Sequence, residues 1–141
     1  MEKEIKFYVV RASFGAVVYE NLDFAKEEVQ YILRNAHSNE LIVTIECWMP
    51  LLKLTKGWRW VSYNKRKIAT RYAFDNVTED RRLELLAKDF AKTHGRGYAR
   101  KEVYVFGVSD GKFFGSCNGR PTDTEFISSR HHCNHWPIAT F

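Results

Sequence analysis

Apolar and polar positions alternate from the start of the chain, with Ile5, Phe7 and Val9 set against Lys6, Tyr8 and Val10. A period of two in β-branched and aromatic residues predicts a strand over Ile5–Arg11. Ala12-Ser13-Phe14-Gly15 reads as a turn and Ala16–Tyr19 as the returning strand. The period then changes. Ala25, Val29, Ile32, Leu33 and Ala36 recur at helical spacing and form one apolar stripe, with Asn21 or Asp23 able to cap the first turn.

Leu41–Cys47 is a further strand, which Pro50 should break because proline donates nothing to a ladder. Trp58–Tyr63 and Ile68–Phe74 read as a hairpin around Asn64-Lys65-Arg66-Lys67. A second helical stripe runs through Leu83, Leu86, Ala87, Phe90 and Ala91, with Thr78 as its cap and Gly95 as its stop. Glu102–Val108 and Lys112–Ser116 flank an Asp-Gly pair, a strong two-residue hairpin signal. The expected class is α+β. It comprises a mostly antiparallel sheet built from hairpins and two amphipathic helices, in the order ββα, βββα, ββ. The expectation is one domain over 1–141, with an irregular tail over 117–141 packed on the core or on a partner subunit.

Composition changes this picture little. The chain has 141 residues, 45% hydrophobic and 15% aromatic, which is a globular balance. No apolar run approaches the ~20 residues a bilayer requires. The opening MEKEIKFYVV carries acids and no small-residue cleavage site, so it does not read as a signal peptide. Three cysteines, an odd number without a secretion signal, point to a reducing, cytoplasmic setting.

Charge changes it more. The formal net charge is +5, yet residues 47–74 hold seven basic side chains and no carboxylate. The excess is therefore concentrated in one fifth of the chain. Arg59, Tyr63 and Arg71 would share one face of the expected hairpin, with Lys65, Arg66 and Lys67 at its tip. Cations beside an exposed ring suit a stacked base and its phosphate. Arg96 and Arg100, near the end of the second helix, form a smaller cluster. The candidate ligand is anionic: a nucleotide, a nucleic acid or an acidic protein surface. A homo-oligomer is expected from the aromatic surplus and the apolar C-terminal residues.

Cys117, His131, Cys133 and His135 carry zinc-preferring donors. Their spacing is poor, because His131 and His135 lie about 13 Å apart in an extended chain at ~3.3 Å per residue. Zinc is the candidate cofactor and a metal-dependent hydrolase or nuclease the alternative function. An inhibitor docking on an acidic enzyme surface is another. Phosphate-cradling loops, nucleophile elbows and dinucleotide turns are absent, so a binding role is favoured over catalysis. Small phage-encoded inhibitors of bacterial defence, nucleotide sponges among them, share this short, motif-poor, aromatic-rich format. The likeness rests on format alone.

Overall fold

The computed structural model describes residues 6–36, 40–50, 52–55, 59–62, 79–128 and 135–141. Its elements run β1 (Phe7–Ala12), β2 (Gly15–Tyr19), α1 (Leu22–Arg34), β3 (Leu41–Pro50), β4 (Leu52–Thr55), β5 (Arg59–Ser62), α2 (Glu79–Thr93), β6 (Tyr98–Ser109), β7 (Lys112–Cys117), β8 (Arg120–Pro121), α3 (Glu125–Ser128) and β9 (Ala139–Thr140). The α+β class is as expected. Seven strands form an antiparallel sheet in the order β8-β7-β6-β3-β1-β2-β9, and β4 pairs with β5 in a separate ribbon.

Local chemistry places the elements. Asn21 caps α1, its side-chain oxygen accepting from the Phe24 N–H at 2.9 Å. Gly95, at φ 85°, ends the run after α2, and its N–H donates to the Phe90 carbonyl at 3.1 Å. Asp110 (φ 51°) and Gly111 (φ 76°) make the tight turn between β6 and β7, both in the left-handed region that a two-residue hairpin of this type requires.

Register assigns each strand residue to a face. Val10, Ile45 and Phe106 face α1, meeting Ala25, Val29 and Leu33 together with Ile127 of α3. Phe7, Val9, Ala16 and Val18 point to the opposite face and meet Ala87, Phe90 and Tyr98. A helix lies on each face of the β1–β2 hairpin. That explains why Val9 and Val10, neighbours in sequence, are both buried. Each fully buried aliphatic or aromatic side chain contributes about 1.5–3 kcal/mol.

Two expectations are corrected, the length of β3 and the irregularity of the C-terminal stretch. β3 runs three residues past the expected end at Cys47 and stops at Pro50, opposite Tyr98. On the other side, β1 pairing ends at Phe7–Trp48, so β1 needs no donor from Pro50. Among the described strands, β5 pairs with β4. The expected partner strand, Ile68–Phe74, lies outside the described residues. The stretch 117–141 is not uniformly irregular. It supplies β8, α3 and β9, and Ile127 is fully buried. β9 closes on β2 through an Ile138 N–H to Val18 carbonyl bond of 2.6 Å, with Ala16 and Phe141 exchanging two more. No helix among the described residues is long and apolar enough to cross a membrane.

Candidate functional site

Arg59 contributes its backbone to β5, opposite Thr55. Tyr63, Lys65, Arg66, Lys67 and Arg71 lie outside the described residues. Arg96 sits exposed in the turn after α2. Arg100, on β6, is the sequence-predicted cation that the fold builds into a cluster.

That cluster grows from one carboxylate. Glu46 stands opposite Val9 on the α2 face of β3 and is only 8% exposed. A carboxylate so placed needs charged or donor partners, or its burial is prohibitive. It has them from three directions. Arg11, two residues along β1 on the same face, donates through Nε and Nη2 to Oε1 at 3.2 and 3.1 Å. The Trp48 indole N–H donates to the same oxygen at 3.1 Å. From β6, Arg100 Nη1 lies 3.6 Å from Oε2. A bulge sets this last contact. The register changes between Cys47–Glu102 and Trp48–Arg100, so Lys101 is the extra residue and Arg100 comes across from Trp48.

Two guanidiniums on one carboxylate leave a local charge of +1. The Arg11 and Arg100 side chains are 42% and 52% exposed. Each guanidinium has five N–H donors. Those not spent on Glu46 meet no protein acceptor among the described residues. The Phe141 ring, 5.4 Å from the Arg11 guanidinium carbon, supports it from the side. Trp48 and Phe141 in turn rest on Phe90, at ring separations of 4.9 and 5.7 Å. The arrangement can hold a multivalent oxyanion on prealigned donors.

Away from α2, the same face of the sheet carries mostly small or apolar residues, two of them exposed. Ile42, Thr44, Val103, Val105, Gly107, Phe114 and Ser116 share it by register. Ile42 is 58% exposed and Phe114 40%. Phe114 reaches over Gly107. A Cβ at Gly107 would fall 2.4 Å from its ring and 2.7 Å from the Leu41 carbonyl oxygen.

The opposite face holds the perturbed tyrosines. Burial pushes Tyr8 up to about 12, with the Cys47 thiol beside it adding to the shift. Tyr104 is raised further, by burial first and then by its hydrogen bond to Cys117 and the nearby Glu102 carboxylate. Such a phenol stabilises the fold fully below pH 10 and loses that contribution as the pH climbs through 10 towards 12. Tyr8→Phe is accordingly expected to flatten the alkaline fall in stability, read from urea midpoints taken at neutral pH and at about pH 11. An unchanged fall would contradict the assignment.

The expected zinc donors are engaged separately where described. Cys117 ends β7 beside Tyr104. His135 packs on α1, with Nδ1 2.7 Å from Glu27 Oε2 and its ring stacked on Phe24 at 3.5 Å. His131 and Cys133 lie outside the described residues. No group of three His, Cys, Asp or Glu is placed to hold a metal among the described residues. A cavity of about 310 Å³ opens between α1 and the β1–β2 turn, lined by Val10, Ala12, Val17, Ile32 and Glu28. The Glu28 carboxylate already accepts the Tyr19 hydroxyl at 2.9 Å.

Arg11, Glu46 and Phe114 escaped the reading of the sequence. A single carboxylate inside the apolar run Leu41–Cys47 was the available signal, because a buried acid demands a cation somewhere in the fold. No family model, no curated protein and no solved structure matches the chain.

Proposed function

We propose that the chain is a non-enzymatic binding protein for a phosphate-bearing ligand, a nucleotide or a nucleic acid. Arg11 and Arg100 are the anchors, and the acid-free segment 47–74, with Arg59, Lys65, Arg66, Lys67 and Arg71, adds to the attraction. The observation that carries this reading is the guanidinium pair. Both are held on Glu46, both are half exposed, and both retain donors that no described protein group uses. Two guanidiniums on one carboxylate also leave an excess of one positive charge beside those donors. β3 ends at Pro50, two residues past Trp48, at the arginine end of the sheet.

Calorimetric titration with inorganic pyrophosphate tests the reading. Arg100→Gln leaves Arg11 and Trp48 to satisfy Glu46, so the fold should survive. The variant is expected to bind pyrophosphate about tenfold more weakly, the worth of one charge-assisted hydrogen bond. Adding Arg11→Gln should abolish binding. Affinity unchanged in the double variant would refute the site.

A further inference from the structure

We propose that the α2 face of the sheet binds single-stranded nucleic acid, with its phosphates on Arg11 and Arg100 and an unpaired base on Phe114. This rests on the anion-binding reading above and names the ligand class.

Three observations carry it. The first is a stacking platform. Gly107 stands directly across from Phe114, and only the missing Cβ lets the ring extend over β6 while the residue stays 40% exposed. Every base has a π-face, so such a ring is tolerant of sequence. The second is separation. Ile42 lies opposite Gly107, four residues along β3 from Glu46, which is ~13 Å at ~3.3 Å per residue. A single nucleotide stacked on Phe114 does not carry its own phosphate to the arginines, whereas a short strand does. The third is the floor between them. Thr44, Val103 and Val105 are small or short, and Glu46 is the sole carboxylate on this face among the described strand residues. Its charge is more than offset by the two arginines. A polyanion crossing the sheet therefore meets cations at one end, an aromatic ring at the other and no repulsion along the way. A duplex hides its base faces and cannot use the ring.

The test is fluorescence anisotropy with labelled oligothymidylates of two, four, eight and twelve nucleotides and a twelve-base-pair duplex, beside the pyrophosphate titration. The eight-nucleotide strand is expected to bind at least tenfold more tightly than the two-nucleotide one, and the single strand more tightly than the duplex. Phe114→Ala should weaken the eight-nucleotide complex about tenfold and leave pyrophosphate binding unchanged. Phe114→Leu keeps the apolar contact over Gly107 but lacks a π-face, so it should show a similar loss, and Phe114→Trp should show none. Equal affinity for two and eight nucleotides, tighter duplex binding, or a Phe114→Leu variant that binds like the parent would overturn the strand proposal. In each of these cases the anion site stands if pyrophosphate binding still depends on Arg100. Loss of that dependence overturns both.

Discussion

Truncating Phe90 to alanine is expected to cost the fold about 4 kcal/mol, the usual range for a fully buried phenylalanine. Phe90 is 1% exposed and touches four rings: Phe7 at 5.1 Å, Trp48 at 4.9 Å, Tyr98 at 5.3 Å and Phe141 at 5.7 Å. The cavity cannot collapse easily. Its walls come from β1, β3, α2, the start of β6 and the end of the chain, and these elements are held by their own ladders. Against a total stability of about 5–15 kcal/mol, the loss would leave a marginal protein. Phe90→Leu keeps most of the apolar volume and should cost about 1–2 kcal/mol. The site should suffer with the core, because Trp48 supports Glu46 and Phe141 supports Arg11, and both lean on this ring. Denaturant midpoints give the stability change, and pyrophosphate titration gives the effect on the site. A loss below about 1 kcal/mol for the alanine variant would show that the aromatic cluster is not packed as described.

Glu46→Gln is expected to separate stability from binding, moving them in opposite directions. An amide oxygen can still accept from Arg11 or Trp48, but the charge that holds two guanidiniums together is gone. Breaking a fully buried ion pair costs ~3–5 kcal/mol. Here Arg11 and Arg100 are 42% and 52% exposed and can turn to water, so the loss should be smaller. About 2 kcal/mol is expected, or roughly 8 °C in the melting midpoint for a chain of this size. Meanwhile the local charge rises by one unit. Pyrophosphate should bind several-fold more tightly at low salt, with a steeper decline as salt is added. If Glu46 only tied the sheet together, stability would fall and binding would not change. That outcome would remove the site while leaving the fold account intact.

Much of the architecture was legible in particular residues. Asn21 or Asp23 before the stripe of Ala25, Val29 and Leu33 announced α1, and Asn21 is the residue that caps it. Asp110-Gly111 announced the β6–β7 hairpin and set its register. Gly95 marked the stop after α2. Pro50 marked where β3 stops, and the strand reaches it through its pairing with β6 because no β1 partner lies beside it to need the missing N–H. The β4–β5 pairing was not anticipated. Hairpins on either side of the same strand satisfy a period of two equally well, and nothing local separates Leu52–Thr55 from a later partner. The candidate site was half legible. Arg100 stood out as a cation near the helix end, whereas Arg11 looked like an ordinary polar position on a strand.

The amino-acid sequence alone determined what nearest neighbours along the chain can settle. Backbone preference, side-chain period and capping act over a few residues, so they specify helices, turns and hairpins without reference to the rest of the molecule. The tertiary structure decided everything that depends on strand order and facing. Arg11 and Glu46 are 35 residues apart in sequence, and they meet because β1 lies beside β3 with one particular register. A shift of one residue would have sent each side chain to the other face. A bulge at Trp48 then brought Arg100 in from β6, and a missing Cβ at Gly107 let Phe114 extend over the same strand. Such meetings arise from packing between distant segments, which no local pattern encodes.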